Sequence, residues 1–212
     1  MEQYNKSLGR VVFSLLLFVF SVAVSAQNGR ALLDKASANL RKGGVEVKFE
    51  ATTYNGLSPK GSSQGVLKYS GNKYFISTSE ADVWFDGTSQ WTMLKNSNEV
   101  NLDNPTASEI QQTNPMAFLN LYKQKSQYMV KDVTYAGSSA KEVTVLPHTK
   151  KAFRQLVVIV SDNAVRNIRL LDAKGNWMRF KILHLKSGQN FSADTFQFNS
   201  SKFPDVEVID LR

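Results

Sequence analysis

Two histidines, His148 and His184, are the only imidazoles in 212 residues, and cysteine is absent. A general base or a metal site would have to be built around them or around carboxylates alone. His148 follows Pro147 in an expected loop, and His184 shares an alternating strand face with Ile182, so neither is paired with a nucleophile. There is no Gly-x-Ser-x-Gly elbow, no His-Glu-x-x-His pair and no phosphate-binding glycine loop. Asp82 and Asp86 bracket a short strand, but Asp86-Gly87 reads as a turn. Without cysteine there is neither a disulfide framework nor thiolate chemistry. The expectation is a protein that is not an enzyme and uses no cofactor and no metal. The interaction these residues do support is burial of grease. In Val83-Trp-Phe-Asp-Gly-Thr-Ser-Gln-Trp-Thr-Met-Leu94, two aromatic and β-branched runs flank the Asp-Gly turn. Trp84, Phe85, Trp91 and Met93 carry more apolar surface than one hairpin hides against itself. Either the rest of the chain or an apolar ligand must cover it.

Residues 1–26 read as a signal peptide and 27–212 as a single domain. Lys6 and Arg10 precede the apolar run Val11–Val24, and Val24-Ser25-Ala26 supplies the small residues of a cleavage site near Ala26. An exported, periplasmic protein is expected, with about 186 residues left to form one core. The formal net charge of +8 suits a solvated basic surface, lipid headgroups or an acidic partner. Export argues against nucleic acid, and a monomer is expected.

The elements that position the apolar residues alternate in period. Leu33, Ala36 and Leu40 recur at helical spacing within Arg30–Lys42, and Gly43-Gly44 ends that pattern. From Val45 the period becomes two, with Val45, Val47, Phe49 and Ala51 on one face. A turn-rich loop is expected over Asn55–Ser63, then strands over Gly65–Tyr69, Lys73–Thr78, the Asp-Gly hairpin and Glu99–Leu102. Asp103–Gln127 interrupts the strands with a short helix over Thr106–Gln112 and a second over Pro115–Gln124, capped by Asn114. Strands resume over Tyr128–Tyr135, Lys141–Leu146, Gln155–Val160, Ala164–Leu171, Trp177–Leu185, Thr195–Phe198 and Glu207–Leu211. Turns are expected at Asp162-Asn163, Lys174-Gly175 and Lys186-Ser-Gly188.

Taken together these pieces resemble the periplasmic outer-membrane lipoprotein carrier (LolA-like) family. The resemblance rests on the Cys-free exported chain, the starting helix and the Asp86-Gly87-x-x-x-Trp91 hairpin. It continues with Asn114-Pro-Met-Ala-Phe-Leu119, with Phe153–Val160 meeting Val165–Leu171 through a short turn, and with Ser192–Phe198 followed by Pro204 and Val206–Asp210. It implies a mainly β (α+β) fold: an incomplete antiparallel β-barrel, or strongly curved sheet, with helices covering its concave face. It also implies a carrier that shields the acyl chains of lipoproteins and delivers them to the outer membrane. Its partners would be acylated lipoproteins or their lipid moiety, an inner-membrane release machinery and an outer-membrane acceptor. Many family members carry an Arg-Pro pair, whose arginine helps to close the lid, in the turn matching Ser70-Gly71-Asn72. Here the nearest cation is Lys73.

The candidate cavity residues are Phe49, Leu67, Tyr74, Ile76, Phe85, Trp91, Met93, Met116, Phe118, Leu119, Tyr122, Val158 and Phe180. Periodicity alone equally makes them an ordinary core; methionines and rings suit a surface that repacks around a flexible chain. Lys150, Lys151 and Arg154 form a basic run that is either a solvated hairpin end or a contact for a partner or headgroup. Two further readings stay open: a carrier of another amphiphile, such as a glycolipid or fatty-acyl product, and a non-enzymatic interaction module.

Overall fold

Turn chemistry organises the chain. Asp162 and Asn163 take φ of 53° and 57°, and Ala136-Gly137 take 49° and 80°. Left-handed residues at both central positions match the right-handed twist of paired strands, so each pair closes a tight hairpin. In the computed structural model, which describes residues 28–38, 40, 43–106, 109–110, 116, 118–150 and 153–212, twelve strands form one sheet. They are β1 (Gly44–Asn55), β2 (Ser58–Ser70), β3 (Lys73–Thr78), β4 (Ala81–Phe85), β5 (Gln90–Leu94) and β6 (Glu99–Asp103). After the insertion come β7 (Ser126–Tyr135), β8 (Ser138–Pro147), β9 (Phe153–Ser161), β10 (Ala164–Asp172), β11 (Trp177–Gln189) and β12 (Glu207–Asp210).

The order across the sheet is β12-β6-β5-β4-β3-β2-β1-β11-β10-β9-β8-β7. Two meanders, β2–β6 and β7–β10, thus meet at β1 and β11, which pair from Gly44↔Gln189 to Thr53↔Met178. All neighbours are antiparallel except β12, which runs parallel to β6. The sheet is curved and does not close, as the incomplete-barrel expectation requires.

Strand alternation gives the sheet two faces. On the inner one, Val45, Val47 and Phe49 of β1 join side chains of β2–β4 and β8–β11 in one buried cluster. The N-terminal helix (residues 28–38) lays Leu33 and Ala36 into it, with Leu40 beyond. Gly29 lets that helix approach: a Cβ there would lie 2.8 Å from Tyr128 Cβ. Gly65 does the same for a ring, since its Cβ would stand 2.8 Å from Cζ of Phe49, its cross-strand partner.

Three sequence expectations are corrected. Asn55–Ser63 is not a loop, because only Gly56-Leu57 turn and Ser58 already starts β2. Pro59 fits there because it sits at a bulge opposite Tyr54, where its missing N–H breaks no regular ladder. Lys186-Ser-Gly188 lies inside β11, and Thr195–Phe198 is not a strand: Thr195 and Phe196 end the 3-10 turn Ala193–Phe196, and Gln197 and Phe198 are irregular. The N-cap expected at Asn114-Pro115 lies outside the described residues.

Candidate functional site

Nine of the expected cavity residues converge. Phe49, Leu67, Tyr74, Ile76, Phe85, Met116, Tyr122, Val158 and Phe180 all belong to the inner cluster. Tyr74 stacks on Phe85 at 5.0 Å, and Phe49 leans on Phe180 at 6.3 Å. Tyr74 is buried with its phenol satisfied, donating to Gln90 Oε1 at 2.7 Å. That bond removes the penalty of placing a hydroxyl among apolar atoms.

The insertion between β6 and β7 supplies the cover. Its first turn is fixed by a reciprocal cap: Thr106 N–H donates to Glu109 Oε2 at 2.7 Å and Glu109 N–H to Thr106 Oγ1 at 3.3 Å. The Thr106 N–H and, with it, the Thr106 hydroxyl, both donating to Oε2, hold the Glu109 carboxyl below its ordinary range. Asp103, at the end of β6, is pushed up by burial and then by the Glu109 charge. Its Oδ1 is buried without a hydrogen-bond partner among the described residues. Farther on, Met116, the short helix Phe118–Leu121 and Tyr122 reach the interior, where Met116, Leu121 and Tyr122 are buried. The side chains of Phe118 and Leu119 lie outside the described residues.

A polar clasp joins this cover to the N-terminal helix. Tyr122 Oη donates to Asp34 Oδ1 at 2.8 Å, and Asp34 also faces Arg30 Nε at 3.8 Å. Tyr128 Oη donates to the Tyr122 carbonyl. Burial, aided by the Asp34 charge and opposed by Arg30, raises the Tyr128 phenol above its usual range, so it stays a donor. The sequence reading missed Asp34, Gln90 and Tyr128. Only the rule that a buried hydroxyl needs a partner pointed toward them. Beside the clasp, a cavity of about 370 Å³ opens between the helix and the β7–β8 rim, lined by Asn28, Ala31, Leu32, Lys35, Val130 and Lys141.

Trp91 and Met93 do not join this face. They pair with Trp84 and Asp82 across β4–β5, on the opposite side of the sheet from Phe85. There Trp84, Met93 and Val100 form a second buried cluster with Phe75, Trp91, Phe198, Phe203 and Val206 packed on it. Phe198 and Phe203, stacked at 5.3 Å, set their rings against Trp84 at 5.5 and 6.0 Å. The segment after β11 therefore covers this face.

Asp86 is a turn residue: its Oδ1 accepts from the N–H groups of Thr88 and Ser89, both at 2.9 Å. His148 and His184 are exposed. Lys150 and Arg154 are exposed too, the latter donating Nε–H to the Ala173 carbonyl at 3.1 Å; Lys151 lies outside the described residues. Among the described residues, no group of three His, Asp or Glu side chains is placed to hold a metal, and no helix is long and apolar enough to cross a membrane.

Comparison with known proteins agrees with this architecture. Residues 19–169 match the family described as outer membrane lipoprotein carrier protein LolA. None of the curated proteins matches. Among solved structures, an uncharacterised conserved protein from Thermus thermophilus is similar, with a TM-score of 0.56 at 10% identity, covering 86% of this chain and 99% of that one. A LolA superfamily protein from Nitrosomonas europaea gives 0.45 at 8% identity, covering 82% and 98%. At 10% identity the likeness to the Thermus protein speaks for the fold alone.

Proposed function

The chain belongs to the outer membrane lipoprotein carrier protein LolA family, and from that premise we propose that it is a periplasmic carrier which shields the acyl chains of lipoproteins and hands them to the outer membrane. Proteins of this family are periplasmic and generally non-enzymatic. Residues 1–26 act as its signal peptide, cleaved near Ala26, and 27–212 are the mature domain. The observation that supports this reading is a continuous apolar inner face on an unclosed sheet, roofed by two helical segments.

The energetics suit such a task. Each buried methylene contributes about 0.8 kcal/mol, so a chain of roughly fifteen offers on the order of 12 kcal/mol gross. Immobilising the guest and opening the roof reduce that figure. Met116 and the rings of Phe49, Tyr74, Phe85 and Phe180 give adaptable walls. The Tyr122–Asp34 hydrogen bond ties the insertion to the N-terminal helix and gives the roof a polar clasp in a chain that lacks the Arg-Pro turn. Such short segments open at low local cost.

Mass spectrometry of organic extracts of the mature protein tests the reading, together with lipoprotein release from inner-membrane preparations. Acylated lipid in the extract and protein-dependent release are the expected results. Acyl lipid without release would make it a carrier of another amphiphile, and empty extracts with no release would end the proposal.

A further inference from the structure

One end of the sheet gathers loops that cargo binding does not use. By register β1, β8 and β10 finish there and β2, β7, β9 and β11 begin. The β1–β2 apex projects from this end with Leu57 at its tip, 90% exposed. A Cβ built on Gly56 beside it would meet nothing within 4 Å, so the apex stands clear of the molecule. Behind the tip lies a cleft of about 220 Å³ lined by Tyr54, Leu57, Trp177 and Met178, with Arg169 and Arg179. Those two guanidinium groups are occupied, each 2.9 Å from a carboxylate oxygen, of Glu142 and Glu50 respectively.

At this same end of the sheet stand Lys60 and Lys174 in the strand and turn next to the apex, with Arg154, Lys150, Lys125 and Lys123 farther along toward β7, and none pairs with a carboxylate among the described residues. The acids nearby are engaged. Asp172 accepts from Asn176 N–H at 2.8 Å, and Glu80, in the next turn along, accepts from the hydroxyls of Ser63 and Ser79 at 2.7 Å. In water, an exposed leucine beside Trp177 and Tyr54 inside a rim of unpaired cations is a poor arrangement. At a lipid surface each part has a place: leucine in the acyl boundary, rings among headgroups, lysines against lipid phosphates.

We infer that this end of the molecule docks on an anionic lipid surface, with the β1–β2 apex as the inserted wedge and Leu57 as its point. The inference goes beyond the cargo site, which lies on the inner face, and leans on the carrier reading only for the reason to meet a membrane. The test is co-sedimentation of the mature protein with vesicles of phosphatidylglycerol and phosphatidylcholine, against phosphatidylcholine alone. The parent is expected to pellet with the anionic vesicles and to be released by salt. Leu57→Asp, and separately Lys60→Glu with Lys174→Glu, should each lower the bound fraction at least tenfold, removal of one lysine being worth roughly fivefold. Because Leu57 is solvated, Leu57→Asp keeps the parent's thermal unfolding and extracted lipid. A parent that stays in the supernatant, or variants that pellet as it does, would overturn the inference; the former would leave an acidic protein partner for this surface. Vesicle binding with empty lipid extracts and no lipoprotein release would instead uphold the docking end and remove the carrier reading.

Discussion

The hairpin β4–β5 sends its large side chains to two different interiors, and the two are closed differently. Phe85 points inward to Tyr74, into a cluster that draws on most of the strands and is roofed by helical segments clasped through Tyr122 and Asp34. Trp84 points outward into a small nest where Phe75, Phe198 and Phe203 interlock around its ring. Edge-to-face rings among close-packed neighbours are difficult to part. A roof of short segments, held by a few buried side chains and clasped by Tyr122 to Asp34, opens more easily. The outer nest is thus a fastening, and the inner face is a buried apolar lining under a cover.

That contrast can be broken by substitution. Trp84→Ala should cost about 4 kcal/mol in urea unfolding, by analogy with other buried aromatics, yet leave the lipid content of the native protein unchanged. Lost lipid would mean the outer nest belongs to the cargo site. Phe49→Leu should cost about 1.5 kcal/mol, and, if the inner face is the proposed cargo site, extracted lipid should fall, because the ring packed over Gly65 lines that face. Tyr122→Phe should destabilise by about 1 kcal/mol and accelerate exchange of a fluorescent acyl probe. Combined with Asp34→Asn it should add little, whereas full additivity would show that the two residues do not act as one clasp.

The smallest effect concerns Asp103. Burial raises its carboxyl pKa in the folded protein above the ordinary 3.8, so the folded state holds its proton more tightly than the unfolded chain. Stability from this group is present in acid and is lost as pH rises through the folded value. Asp103→Asn should therefore stabilise at neutral pH by less than about 1 kcal/mol, given partial exposure, and the gain should vanish near pH 3. An equal gain at both pH values would exclude ionisation as the cause.

Much of this was legible in the residues, and the misses have physical causes. Leu33, Ala36 and Leu40 gave the N-terminal helix because three- and four-residue spacing marks one face. Asp162-Asn163 gave a hairpin because both side chains tolerate the left-handed region. Ser58–Ser63 has the composition of a loop, and only its pairing with β1, from Asn55↔Ser58 to Ala51↔Ser63, makes it a strand. Phe196 and Phe198 alternate like strand residues, but Phe196 is buried in a 3-10 turn and meets Phe191 at 5.7 Å. The parity that separates Trp91 from Phe85 was present in the sequence. Any hairpin closing through an even number of residues puts Trp91 with Trp84, and the observed loop is Asp86–Ser89. What the sequence lacked was a sign of which face would be roofed by helices and which by the segment after β11.

The pairing of β1 with β11 has a kinetic consequence. Glu50 and Arg179, which meet across that junction, are 129 residues apart in the chain. Each meander can zip from its own turns, but the seam between them closes only by a long-range encounter, the slow kind of step in β-rich proteins. Until it does, the first strand has one bare edge and the greasy lining of both halves faces water. That unfinished interval is the moment of the chain's greatest exposure to aggregation.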